Sequence, residues 1–67
     1  MRLTVNGSER VFEDSVRSAG DLLAALDIRR ERVAVVINEA VVRRAELDST
    51  PLREGDVVEV ITMVGGG

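Results

Sequence analysis

The chain has 67 residues, one aromatic side chain, nine arginines and no lysine, cysteine or histidine, and its net charge is −3. This length predicts one small domain with a thin core, and the missing residue types exclude disulfides, thiolate metal sites and Ser-His or Cys-His catalysis. The acidic charge disfavours nucleic acid, and no apolar run approaches the roughly 20 residues of a membrane span, so we expect a cytoplasmic protein without nucleic-acid or membrane partners.

The first predicted elements are two antiparallel strands joined at Asn6-Gly7. An alternation of apolar and polar residues precedes this pair, and both turn residues tolerate the positive φ that tight hairpins require. We expect strands near 2–5 and 10–13, with Val11 packed in the core.

A helix is predicted to follow, capped by Ser18 and ending near Asp27. Asp21 occupies the third helical position, which suits a reciprocal capping interaction. Gly20 in the first turn should weaken the helix by less than about 1 kcal/mol. An apolar face is formed by leucines at helical spacing, namely Leu22, Leu23 and Leu26.

The second half of the chain predicts three further strands, at residues 33–37, 41–42 and 57–64. The first is a continuous β-branched run, typical of a strand covered on much of both faces. Leu47 is the expected anchor of the polar segment between the last two strands. The fold class is therefore α+β: a mixed sheet of about five strands with one helix packed on one face. One domain spans residues 1–64, and a flexible glycine tail spans 65–67.

The last strand should present one face to water, because Glu59 lies within it. On this alternation Val57, Ile61 and Met63 point outward, and they are predicted as a partner-docking patch near the tail. The alternative is that scattered apolar residues are ordinary on a small protein's surface. The inward side chains would be Val58, Val60, Thr62 and Val64. Because Thr62 is a poor core residue, a shift of this alternation by one residue is a second alternative.

Other charged residues are interpreted more simply. A solvated face is the preferred interpretation of four of them, with partner contacts as the alternative: Glu39, Arg43, Arg44 and Glu46. Asp48 and Asp56 form no convincing metal pair, because Asp56 follows a glycine and is explained by turn chemistry. We predict no metal site.

The triple glycine at the C-terminus follows an apolar strand directly. Glycine lacks Cβ, so its backbone can enter a channel too narrow for other residues. We therefore interpret Gly65, Gly66 and Gly67 as an end that threads into another protein. A frayed end is the alternative.

Several of these segments together resemble the ThiS family of sulfur carriers, which have the ubiquitin-like β-grasp fold and serve thiamin biosynthesis. The resemblance covers the whole chain, and its motifs are Asn6-Gly7, Asp21-Leu22-Leu23, Val35-Val36-Ile37-Asn38, Val41-Val42-Arg43, Leu52, Gly55-Asp56 and the terminal Val64-Gly65-Gly66-Gly67.

This resemblance implies a carrier that is the substrate of enzymes and not itself a catalyst. An E1-like adenylyltransferase of the ThiF type would adenylate the Gly67 carboxylate with ATP and magnesium. Sulfur from a sulfur-donating enzyme would replace AMP and leave a thiocarboxylate. A thiazole synthase of the ThiG type would take the sulfur. The carrier itself would bind no cofactor.

Three alternatives remain open at this stage. A Gly-Gly end is shared with carriers for molybdopterin, cysteine or tRNA thiolation. It is also shared with protein modifiers, which join their C-terminus to lysines on targets. The third alternative is a plain interaction module with an inert tail.

Overall fold

The computed structural model describes residues 1–63, and its elements follow the predicted order. Within that range the strands and the α-helix are β1 (Arg2–Val5), β2 (Ser8–Val11), α1 (Ala19–Ala25), β3 (Val33–Ile37), β4 (Ala40–Val42) and β5 (Val57–Thr62). Two short 3₁₀ turns, which the sequence did not predict, lie at Arg30–Arg32 and Arg44–Glu46. The predicted domain end at residue 64 and the tail at 65–67 lie outside the described residues.

The strands form one mixed sheet in the order β2-β1-β5-β3-β4. β5 pairs parallel with β1 and antiparallel with β3, and each hairpin adds its second strand at an edge. The last strand in sequence is therefore the central strand of the sheet. This arrangement confirms the predicted α+β class and the mixed sheet with one helix.

The helix covers one face of the sheet, which we name the inner face, and the opposite face is the outer face. Leu22 and Leu23 of α1 are almost fully buried against the sheet. The inner face contributes Leu3, Val5, Val33, Val35, Ile37 and Val58 to the same core. The outer face has no helix over it in the described part of the chain, so its side chains are only half-buried or exposed.

Local interactions fix both ends of α1. Ser18 and Asp21 form the predicted capping box: the Ser18 hydroxyl accepts from the Asp21 N–H at 3.0 Å, and the Asp21 carboxylate accepts from the Ser18 N–H at 3.1 Å. At the other end Asp27 adopts a φ of +58°. The Ile28 N–H then donates to the Leu23 carbonyl at 2.9 Å, which closes the last turn.

The loop before β5 is tied to the start of the helix. Leu47 is 2% exposed, which confirms it as the anchor of its segment. Arg30 forms a bidentate ion pair with Asp48, with N–O distances of 2.9 and 3.0 Å. Gly20 is buried beneath this pair, and a Cβ at that position would overlap the Asp48 carboxylate. Gly20 therefore permits a close approach, at a cost in helix propensity.

Two predictions about individual positions were wrong. The second strand is Ser8–Val11 and not 10–13. In the observed register Val11 pairs with Arg2 and points to the outer face, where it is 72% exposed and not packed in the core as predicted. Phe12 is the residue that packs against the core. Thr62 pairs with the buried Val33 yet is exposed, because the core ends before β5 does.

Candidate functional site: the central strand and its outer face

β5 is held by the sheet along its whole described length. Its neighbours β1 and β3 pair with it on both sides, and the Met63 N–H still donates to the Arg32 carbonyl at 2.9 Å. Met63 is four residues before the C-terminus. The chain therefore approaches its terminal glycines from a strand with fixed position and direction.

Two asparagine side chains strengthen this hold, one from each hairpin turn. The Asn6 side chain accepts from the Val60 N–H at 2.8 Å and donates to the Val60 carbonyl at 3.3 Å. On the other side of β5, the Asn38 side chain accepts from the Val57 N–H at 2.9 Å and donates to the Asp56 carboxylate at 2.9 Å. These amides continue the pairing of β5 where the neighbouring strands have ended.

The predicted docking patch lies on the outer face. Val57 and Ile61 are each 49% exposed and Met63 is 50% exposed, as the alternation predicted. In the same strand Val58 is fully buried on the inner face. Ile61 and Met63 lie at the C-terminal end of β5, whereas Val57 lies at its start.

A groove of about 400 Å³ adjoins this patch on the outer face. Its lining residues are Val36, Asn38, Glu39, Val57 and Glu59. Val36 and Glu59 are direct partners across β3 and β5, and Glu39 lies in the turn that follows β3. The sequence analysis did not predict this groove, because it assigned Glu39 to a solvated face and did not pair it with Glu59. The two residues are neighbours because of the register between β3 and β5.

The remaining predicted site residues are placed as follows. Val64, Gly65, Gly66 and Gly67 lie outside the described residues. Asp48 pairs with Arg30, whereas the Asp56 carboxylate accepts from the Arg53 N–H at 2.9 Å, which confirms its role in the turn.

Among residues 1–63 no three histidine, cysteine or acidic side chains gather as metal ligands would. Over the same residues, no helix is long and apolar enough to span a membrane.

Fold and site together define a β-grasp protein whose central strand ends at Thr62, shortly before a glycine-rich C-terminal sequence. The sequence model of the ThiS family matches residues 2–67. The sulfur carrier protein ThiS of Thermus thermophilus is 35% identical over 63 residues, which cover 94% of this chain and 95% of that protein. The chain belongs to the ThiS family.

Structural similarity extends over the whole chain. The crystal structure of the thiamine biosynthesis protein ThiS from Geobacter metallireducens superposes with a TM-score of 0.85 at 36% identity, with full coverage of both chains. A thiazole synthase of Paramagnetospirillum magneticum is 33% identical over all 67 residues, which make up 20% of that longer protein. A region similar to this chain thus also occurs within a thiazole synthase.

Proposed function

We propose that this protein is the sulfur carrier of thiazole formation in thiamin biosynthesis, acting in the cytoplasm through the carboxylate of Gly67. The observation that carries the proposal is the family match over residues 2–67, which includes the terminal glycines. Two relatives align with all or nearly all of this chain. Their names describe them as a sulfur carrier protein and a thiamine biosynthesis protein.

The proposed chemistry needs activation of the carboxylate, because a carboxylate is a poor electrophile. A Gly67 carboxylate oxygen attacks the α-phosphorus of ATP on an E1-like enzyme that holds magnesium, and pyrophosphate leaves. A sulfur nucleophile then attacks the acyl carbon, and AMP leaves. When the nucleophile is the persulfide of a sulfur donor, a second thiol then attacks the donor-side sulfur of the acyl disulfide, forms a disulfide with the donor and releases the C-terminus as a thiocarboxylate. The reacting sulfur is on the carrier's own terminus, so the absence of cysteine is compatible with the role.

The proposed acceptor of the sulfur is a thiazole synthase. Its support is the thiazole synthase of Paramagnetospirillum magneticum, in which a region 33% identical to this chain belongs to the same polypeptide. Joining two interacting modules in one chain raises their effective concentration.

The C-terminus is tested by growth of a bacterial host that lacks its own ThiS on medium without thiamin. The full chain should restore growth, whereas a chain without Gly67 and a chain extended by one alanine should not. All three strains should grow when thiazole is supplied, which controls for toxicity. Growth with the shortened chain would contradict the proposed role of the terminal carboxylate.

The docking patch is tested separately by substituting its apolar residues. Ile61→Asp or Met63→Asp should slow adenylation by the activating enzyme by about tenfold or more, because each places a charge in an apolar contact. Val11→Asp is the matched control, since Val11 is an exposed valine on the edge strand β2, which β1 separates from β5. Unchanged adenylation of the folded Ile61 and Met63 variants would rule out the patch.

A further inference from the structure

We propose that Asn6 is a deamidation site, at which the first hairpin turn slowly converts its asparagine to aspartate and isoaspartate. The reaction takes place between Asn6 and its neighbour Gly7, both of which are exposed, and its only co-reactant is water. This inference goes beyond the proposed function and does not depend on sulfur transfer, because it concerns how long the turn keeps its hold on β5.

The chemistry is an attack by one amide on the next. The Gly7 backbone nitrogen attacks the side-chain carbonyl carbon of Asn6, the bond from that carbon to the side-chain nitrogen breaks, and ammonia leaves with the proton of the Gly7 nitrogen. The product is a five-membered succinimide, which water opens at either carbonyl. Opening at the side-chain carbonyl gives aspartate. Opening at the main-chain carbonyl gives isoaspartate, in which the chain continues through the former side chain.

The turn leaves the attacking nitrogen accessible. A Cβ built on Gly7 would meet no atom within 4 Å, so the space beside this residue is open. Within residues 1–63 the Gly7 N–H donates no hydrogen bond that the reaction would have to break. Glycine has no side chain to shield its nitrogen, and its backbone adapts to a new ring more easily than that of any other residue.

Asn38 provides a comparison within the same molecule, because it has the same φ of +49° and also bonds to β5. The Asn38 amide nitrogen donates to the charged Asp56 carboxylate at 2.9 Å, whereas that of Asn6 donates to the neutral Val60 carbonyl at 3.3 Å. Hydrogen bonds to a charged acceptor are the stronger ones. The residue after Asn38 is Glu39, which has a side chain. Asn38 therefore has both a firmly held leaving group and a shielded attacking nitrogen.

Deamidation weakens the hold of the first turn on β5. The Asn6 amide now accepts from the Val60 N–H and donates to the Val60 carbonyl. A carboxylate only accepts, so the product directs negative charge at the Val60 carbonyl where a donor lay before. Isoaspartate also lengthens the main chain of a tight turn, and the length of the turn fixes the register of the hairpin. The modification therefore loosens β5 on the side of β1.

The test follows deamidation of the purified full-length chain in mildly alkaline buffer. Tryptic peptides 3–10 and 33–43 contain Asn6 and Asn38, and mass spectrometry measures the exchange of NH₂ for OH in each. Asn6 should react about tenfold faster than Asn38, because the attacking nitrogen belongs to glycine. A synthetic peptide of residues 3–10 should react about tenfold faster than the folded chain, since the bonds to Val60 must first open. An unaged sample corrects for deamidation during digestion.

The modified chain is then separated from the parent by anion exchange, because it has gained a negative charge. It should melt at a lower temperature than the unmodified fraction of the same incubation, and its Val60 amide should exchange hydrogen faster. Asn6→Asp should show a smaller loss in the same direction, since it reproduces the aspartate product and not the lengthened turn of isoaspartate.

Three outcomes would overturn the inference. The first is deamidation at equal rates at Asn6 and Asn38. The second is an unreactive Asn6 in the folded chain while the free peptide reacts, which would show that the bonds to Val60 protect the turn completely. The third is a modified fraction that melts like the parent. None of these readouts involves the C-terminus, so the carrier function stands or fails separately.

Discussion

The two hairpin turns of this protein have the same backbone shape and different second residues. In Asn6-Gly7 the φ angles are +49° and +85°, and in Asn38-Glu39 they are +49° and +72°. Both are two-residue turns of the type that matches strand twist. In both, the asparagine side chain bonds to β5, at Val60 in one turn and at Val57 in the other. In both turns, the side-chain oxygen at the first position thus accepts from a backbone N–H of the central strand.

The second position separates the turns by backbone strain. Gly7 has no Cβ and adopts its conformation without steric cost. Glu39 adopts nearly the same conformation with a Cβ, which costs on the order of 1 kcal/mol, and its carboxylate borders the groove on the outer face. The comparison indicates that asparagine meets the structural requirement in both turns, and that Glu39 adopts its conformation at a cost that Gly7 avoids.

The largest expected effect comes from removing the shared asparagines. Asn6→Ala and Asn38→Ala should each lower the free energy of unfolding by about 2 kcal/mol, since each loses bonds to β5 and leaves alanine at positive φ. Urea denaturation measures both values. Asn6→Asp keeps the acceptor for the Val60 N–H and should cost less. If either alanine variant were as stable as the parent, the two turns would not hold β5 in the same way.

A reciprocal exchange at the second position should have smaller effects of opposite sign. Gly7→Glu should destabilise the chain by about 1 kcal/mol, because it introduces the strain now present only in the other turn. Glu39→Gly should stabilise it by about 0.5 kcal/mol, since relief of strain is partly offset by the greater freedom of glycine in the unfolded chain. Thermal denaturation at one pH compares them. Destabilisation by Glu39→Gly would show that Glu39 has a structural role.

The smallest expected effect is a loss of stability at low pH, which should arise around the helix and not in either hairpin turn. Backbone hydrogen bonds from Arg17 and Ser18 lower the pKa of Asp21, and the ion pair with Arg30 lowers the pKa of Asp48. A carboxyl with a lowered pKa in the folded state stabilises the fold above its unfolded pKa, and this contribution is lost as the pH falls through the folded value. Stability should therefore decline below about pH 4.

Hydrogen exchange locates this acid effect in the chain. As the pH is lowered, the amides at the start of α1 should lose protection, measured relative to the intrinsic exchange rate at each pH, before those of either hairpin do. Asp48→Asn should show a weaker dependence of stability on pH. Earlier acid opening of the hairpins would place the sensitive groups in the turns and not around the helix.

Local sequence signals predicted much of this fold because the responsible interactions are short in range. The capping box joins residues three apart, and the alternation in β5 correctly placed Val57, Ile61 and Met63 at the surface. The docking role of these residues stays a prediction. The position of β2 was missed because its Ser-Glu-Arg start has little apolar character.

Contacts between residues far apart in the chain could not be predicted from local sequence patterns. The pairing of Asn6 with Val60 joins residues 54 apart in the chain and requires the sheet order to be known. The groove has the same origin, because Glu39 and Glu59 come together through the register of β3 and β5. The close contact of Gly20 with Asp48 likewise depends on tertiary packing, so the sequence suggested only its cost to the helix.

The most direct measurement of the central claim is the mass of the C-terminal tryptic peptide, residues 54–67, from protein isolated from its native host. We predict an exchange of one oxygen for sulfur at Gly67, and labelling of the same peptide by a thiocarboxylate-selective sulfonyl azide. The label excludes oxidation of Met63, which adds nearly the same mass. Absence of a thiocarboxylate when the activating enzyme, ATP and a sulfur source are all supplied would contradict the account.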